Sequence, residues 1–179
     1  RASTPHGLSP SPYYSCNLFA YGNYGGNFLV FGDPPRVTTE GTTTVAKIRD
    51  GLSHTIFFAE RYGTCGLLPG QAYCSPWCDA NMDFRPAFCI NHQNLPNHST
   101  PRDNYEPCLP FQVAPRWDTQ CNLYQAQSPH PQSMNVGMGD ASVRSLNVEI
   151  CTEIDTSFHT SLWTYLCDPR DGKAPSGDW

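Results

Sequence analysis

The sequence predicts an α+β domain that is β-rich, loop-rich and stapled by disulfides. Nine Cys are spread over 179 residues, at 16, 65, 74, 78, 89, 108, 121, 151 and 167. Such a spread reads as a disulfide framework in an oxidising compartment. Charged residues make up only 15%, below the usual quarter, while 17 Pro and 14 Gly favour turns over helices. The clearest periodic segment, Met134, Val136 and Met138, alternates with the period of a strand. At this length one domain spanning 1–179 is the default, with enough chain for a real core. Aromatics at 12% and a formal charge of −5 set the chain apart from disordered sequences. Lys occurs only at 47 and 173 and no Lys/Arg cluster exists, which argues against a nucleic-acid partner.

Along the chain, residues 1–15 are Pro/Ser-rich and expected to be extended. Phe28-Leu29-Val30-Phe31 reads as a short buried strand or turn, stopped by Gly32-Asp33-Pro34-Pro35. Thr42 to Ile48 is β-prone. Asp50-Gly51 marks a turn, and Thr55 to Glu60 is the best single strand. Residues 63–115 hold five Cys and eight Pro with almost no periodicity, and are expected to be an irregular, Cys-rich insertion. Strands at 134–138 and 142–148 should pair as a hairpin about the turn Gly139-Asp140-Ala141-Ser142. Ile150 to Leu166 fits a short helix or a mixed segment. Cys65, Cys74, Cys78, Cys89, Cys108, Cys121, Cys151 and Cys167 are expected to be bridged. Because nine is odd one Cys is left over, and Cys16 is the candidate.

Four blocks carry a family resemblance. Nine residues separate His130 from Asp140 in Ser128-Pro-His-Pro-Gln-Ser-Met-Asn-Val-Gly-Met-Gly-Asp-Ala-Ser142. Asp50-Gly51-Leu52-Ser53-His54-Thr55-Ile56 runs on to Glu60-Arg61. Tyr21-Gly22-Asn23-Tyr24-Gly25-Gly26-Asn27 follows Cys16. Trp163, Leu166-Cys167, Pro169-Arg170-Asp171-Gly172 and Trp179 close the chain. In this order they resemble the prepilin-type family with the H-x(9)-D-G motif, a domain of unknown function abundant in planctomycetes and sometimes labelled solute-binding. This chain departs from the pattern at Leu52, where the family has Thr, at His54, where it has Asn, and at Ala141, where it has Gly.

The resemblance implies a pilin-like head and a structural role for His130, Asp140, Asp50, Gly51, Glu60, Arg61, Trp163, Asp171 and Gly172. It also implies an N-terminal leader and a long apolar helix. The chain opens Arg1-Ala2-Ser3-Thr4-Pro5-His6-Gly7 and has no run of roughly 18 apolar residues, so that helix is expected to be absent from this chain. A membrane connection would run only through it.

Other constellations in the sequence also have plain structural readings. His130 with Asp140 would suit a base and its orienter, yet no nucleophile with a local signature accompanies them. Anchoring of the hairpin by His130 and capping of turn amides by Asp140 is favoured. Glu60 with Arg61 reads as a buried ion pair or a backbone hydrogen bond rather than an acid. Cys74 and Cys78 with His92 and His98 have tolerable zinc spacing, but an exported context favours disulfides. Asp79-x-Asn81-x-Asp83 opens like a calcium loop but has Phe84 where Gly is needed, and Asp103, Asn104 and Glu106 read as solvated loop residues. Tyr13, Tyr14, Tyr21, Tyr24, Tyr62, Tyr73, Trp77, Tyr105, Trp117 and Tyr124 are mostly core; exposed ones would make sugar platforms or subunit contacts. Asn97-His98-Ser99 is a formal glycosylation triplet.

The sequence thus predicts no metal, no cofactor and no enzyme activity. It predicts a structural subunit or decoration of an extracellular, cell-surface or periplasmic assembly. Partners would be copies of itself or other subunits, and glycans in the alternative reading of an extracellular glycan- or solute-binding module.

Overall fold

The computed structural model describes residues 22–32, 41, 43–68, 71–74, 86–89, 108–122, 124–155 and 160–172. The described residues are β-rich with little helix. The strands are β1 (Tyr24–Asn27), β2 (Ile56–Glu60), β3 (Thr64–Leu68), β4 (Gln71–Cys74), β5 (Ala87–Phe88), β6 (Gln112–Val113), β7 (Gln127–Ser128), β8 (Ser133–Met138), β9 (Val143–Asn147), β10 (Glu153–Asp155) and β11 (Thr160–Ser161). The helices are α1 (Phe28–Phe31) and α2 (Leu162–Cys167). No helix among the described residues is long and apolar enough to cross a membrane.

A five-stranded sheet in the order β5-β1-β2-β8-β9 organises the molecule. It is antiparallel except for β5, which runs parallel to β1. Three two-stranded ladders, β3-β4, β6-β7 and β10-β11, accompany it among the described residues.

The centre of the sheet follows from side-chain alternation. In β8 Met134, Val136 and Met138 are buried while the residues between them are half-buried. In β2 the register slips between Ile56 and Phe58, so two β2 residues oppose one of β8. This bulge lets Ile56 and Ala59, three positions apart, both enter the core. It also lays Phe57 over Gly139, where a Cβ would stand 2.7 Å from the Phe57 ring.

The core packs between this sheet and α2. Ile56, Ala59, Met134, Val136, Met138 and Leu146 meet Phe88, Phe111, Trp163 and Leu166. The Trp163 ring lies 5.8 Å from Phe88 and 5.0 Å from Phe111, and its indole N–H donates to the Leu109 carbonyl at 2.9 Å. A fully buried indole thus keeps its polar atom satisfied. Ser161 caps α2 by accepting from the Thr164 N–H.

Asn27 ties the layers together. Its amide donates to the Ile56 carbonyl at 2.8 Å and the Cys167 carbonyl at 2.7 Å, while its oxygen accepts from Leu29 N–H at 2.9 Å. One fully buried side chain therefore caps α1 and joins β2 to the end of α2.

The expected strand at Thr55 to Glu60 and the expected hairpin are both present. Of the strand or turn expected at Phe28 to Phe31 a turn forms, a helical one, because Asn27 supplies an N-cap. Two segments differ from expectation. The β-prone stretch before Asp50 folds as a 3-10 turn over Val45–Lys47, closed by Ile48 N–H on the Val45 carbonyl. The stretch 63–115 is not wholly irregular: β3 and β4 pair antiparallel and β5 completes the main sheet.

Candidate functional site

The motif blocks are one another's packing partners. At the tip of the hairpin, the Met138 carbonyl accepts from Ala141 N–H at 3.1 Å and Met138 N–H donates to the Ser142 carbonyl at 2.9 Å. This is a three-residue loop, Gly139-Asp140-Ala141, whose third position takes the left-handed conformation. Ala141 has φ 69° there. Asp140 accepts from the Ser142 N–H at 2.9 Å and its hydroxyl at 2.6 Å. Those bonds hold the Asp140 carboxyl below its ordinary range.

The Asp50-Gly51 block seats that loop. Gly139 N–H donates to the Thr55 carbonyl at 2.9 Å and Asp140 N–H to the Leu52 carbonyl at 3.2 Å. Gly51 has φ 87°, a conformation natural to glycine, and its carbonyl accepts from the Thr55 hydroxyl at 3.0 Å. Asp50 is buried. On its other side, Arg49 N–H donates to the Pro169 carbonyl at 2.9 Å, joining the closing block. Asp171 and Gly172 are exposed at that end, with Gly172 at φ 72°.

The second cluster lies at the other end of β8. Glu60 accepts from Ser128 Oγ at 2.9 Å and Asn135 N–H at 2.9 Å on one oxygen, and from Asn135 Nδ2 at 3.0 Å on the other. His130 Nε2 stands 3.4 Å from Glu60 Oε1, with side-chain exposures of 47% and 11%. The His130 N–H donates to Ser128 Oγ at 3.1 Å. Sequence reasoning had Glu60 and His130 but missed Ser128 and Asn135. The polar Asn between the apolar Met134 and Val136 was the available signal.

The cluster binds a carboxylate tightly and leaves one imidazole beside it at the surface. Ser128 is fully buried and spends its hydroxyl on Glu60 and on the His130 backbone, not on the imidazole ring. Asp140 lies in the loop beyond β8, whose run from Asn135 to Met138 alone covers about 10 Å at strand rise. His130 and Glu60 are therefore brought together, and Asp140 is not part of their cluster.

Arg61 follows Glu60 on the opposite face. It is buried, donates to the Ala87 carbonyl, and burial pushes its guanidinium down to about 10. Its N–H donates to the Asn23 carbonyl at 2.8 Å. Of the two structural readings of Glu60, the backbone hydrogen bond is present, from the Asn135 N–H at 2.9 Å, while Arg61 reaches β5.

Among the described residues four cysteines form two disulfides, Cys65–Cys121 and Cys89–Cys108, with Cα separations of 5.4 and 4.7 Å. Both fall within the span a bridge accepts. The first closes a separation of 56 residues and packs with Tyr62 and Tyr124 in a small second core. In the loop-entropy account such a bridge is worth about 4 kcal/mol. Cys151 and Cys167 correct the expectation that both are bridged: each carries a free thiol. Burial pushes the Cys151 thiol up to about 11 and the Cys167 thiol well above its ordinary value. The counting argument that assigned them to bridges is blind to placement.

The sulfurs of Cys16, Cys74 and Cys78 lie outside the described residues. So do His92, His98, the Asp79 to Asp83 and Asp103 to Glu106 stretches, Asn97, Trp179, and the rings of Tyr13, Tyr14, Tyr21, Tyr73, Trp77 and Tyr105.

No curated protein and no solved structure matches the chain. A family model described as "Protein of unknown function (DUF1559)" matches residues 3–153. That span contains three of the four motif blocks, among them the loop at Asp140, its seat at Gly51 and the cluster about Glu60. The chain belongs to this family of unknown function.

Proposed function

We propose that this chain is a structural subunit or decoration of an extracellular or cell-surface assembly, with a pilin-like head that contacts copies of itself or other subunits. One observation carries this reading. The sheet face turned away from α2 displays large apolar side chains: Tyr24 at 57% exposure, Phe31 at 42%, Phe58 at 41% and Val143 at 76%. Phe31 packs edge-on to Phe57 at 5.4 Å and tilted on Phe58 at 5.2 Å, so part of this face is pre-ordered. Apolar and aromatic area with few charges suits a protein contact, where desolvation costs little. Two disulfides fit an oxidising compartment.

Sedimentation velocity across a concentration series tests the proposal. Concentration-dependent association is expected, weakened by Phe58→Ser and by Val143→Lys, both at exposed positions. A monomer at every concentration, unchanged by either substitution, overturns it. The second reading, a glycan- or solute-binding module, rests on Trp117. Its exposed indole is flanked by Arg116 and Asp118, which pair at 2.9 Å. Quenching of tryptophan fluorescence by an oligosaccharide panel, lost in Trp117→Ala, would favour that reading.

A further inference from the structure

The Cys89–Cys108 disulfide does not lie alone in the core. The Sγ atoms of Cys89, Cys108 and Cys167 all lie within 4.8 Å of one another, and all three residues are buried. Cys167 is the last residue of α2 and is a thiol, not half of a bridge. Cys89 directly follows β5 with φ 60°, and Cys108 stands four residues before β6. A buried thiol held against a disulfide is the reactant pair of thiol–disulfide exchange.

We propose that Cys89, Cys108 and Cys167 form one exchange site, in which Cys167 takes over either half of the Cys89–Cys108 bridge. The step is an isomerisation. The Cys167 thiolate attacks Sγ of Cys108, a Cys108–Cys167 bond forms, and the Cys89–Cys108 bond breaks. Cys89 leaves as a thiolate and takes up the proton that Cys167 gave up. Attack on Cys89 instead releases Cys108. Either way one disulfide and one thiol remain, so no oxidant or reductant enters.

The exchange changes what is tied to what. The Cys89–Cys108 bridge closes a separation of 19 residues. Either product opens that closure and fastens the end of α2 to the end of β5 or to the residues leading into β6. The carbonyl of Cys167 is already held by Asn27, so the attacking residue is anchored while its partners change.

Burial keeps the Cys167 thiol protonated at neutral pH, so the exchange is slow there and accelerates with alkalinity. Below the thiol's pKa the thiolate fraction rises tenfold per pH unit, giving about a hundredfold faster exchange at pH 9 than at pH 7.

The test is disulfide mapping of the intact chain. Samples incubated at pH 7 and pH 9 are quenched in acid, alkylated, digested without reduction and read by mass spectrometry. Cys89–Cys167 or Cys108–Cys167 peptides should accumulate at pH 9 while Cys65–Cys121 stays intact. Cys167→Ala should abolish them. Because the wild-type time course stands alone, poor folding of that variant does not remove the test. Three results overturn the proposal: Cys89–Cys108 as the sole linkage among the three at both pH values; a Cys151–Cys167 bridge in the starting material; or new linkages that also consume Cys65 or Cys121, which mark unfolding instead.

Discussion

Asp140 brackets Ala141 by bonding across it to Ser142, at 2.9 Å through the backbone N–H and 2.6 Å through the hydroxyl. The bracket holds an alanine at φ 69°, where a Cβ is strained. Ala141→Gly should therefore stabilise the domain by up to about 1 kcal/mol. Thermal or urea unfolding checks the sign, and a loss of stability would refute the strain. The neighbouring glycine behaves oppositely. A Cβ at Gly139 would meet the Phe57 ring at 2.7 Å and the Leu52 carbonyl at 3.0 Å, so Gly139→Ala should destabilise by about 1–3 kcal/mol.

The same bracket titrates. Ser142 lowers the folded-state value of Asp140, so the unfolded chain binds a proton more readily. The contribution is complete above the ordinary carboxylate range and is lost as pH falls through that range toward the lower folded value. Asp140→Asn keeps an accepting oxygen without the charge. Its melting temperature should fall less than the wild type's as pH drops through and below the ordinary carboxylate range. Equal losses in both proteins would remove Asp140 from the acid response.

Local features were legible in the sequence. The hairpin was readable because period-two alternation flanks a turn sequence, and Gly51 because Asp-Gly marks a turn. What escaped depends on distant partners. The sequence leaves Phe28 to Phe31 open between strand and turn, since the cap that makes it helical comes from Asn27, itself held by carbonyls of Ile56 and Cys167. The Glu60–Asn135 contact joins residues 75 apart and exists only through the β2–β8 register. No local pattern encodes that register, which the bulge in β2 shifts by one residue. That Cys151 and Cys167 stay free is not legible either, since parity says nothing about which sulfurs meet.

Asn27 offers a sharp test of the layer connection. Asn27→Ala leaves the Leu29 N–H and the Ile56 and Cys167 carbonyls without its three bonds, in a buried site. The expected cost is about 2–4 kcal/mol. Asn27→Asp should cost at least as much, because a carboxylate would then face two carbonyl oxygens. Denaturant titration of both variants checks the order; an Asp variant close to wild type would show that the two donated bonds carry little stability.

Free thiols give a further check. Cys151 and Cys167 predict at least two reactive thiols in the denatured, unreduced protein. In the folded protein their raised values suppress the thiolate, so alkylation near pH 8 should be much slower than after denaturation. Raised values also have a thermodynamic consequence. The folded state holds these protons more tightly than the unfolded chain. Their contribution is full below the unfolded thiol range and is lost as pH rises through it toward about 11 for Cys151. Serine at both positions should flatten the alkaline loss of stability; an unchanged alkaline limb would assign it elsewhere.

Glu60 and His130 separate structure from catalysis. Three donors from Ser128 and Asn135 converge on the Glu60 carboxylate. Glu60→Ala strands those donors in a largely buried site, at an expected cost of about 2–4 kcal/mol. Glu60→Gln keeps the shape but turns an amide N–H toward a donor on one side, so about 1–3 kcal/mol is expected. His130 is half-exposed and reaches Glu60 only at 3.4 Å, so His130→Ala should cost below about 1 kcal/mol. Pro129 and Pro131 restrain the backbone on either side of it, which disfavours a mobile base. If the cluster anchors β7 and β8, stability follows the order Glu60→Ala, Glu60→Gln, His130→Ala, and no turnover changes with it. The decisive comparison pairs urea unfolding of these variants with turnover on a polysaccharide and ester panel. A monomer that hydrolyses one of those substrates, and loses that turnover in a stably folded His130→Ala variant, would make the cluster catalytic.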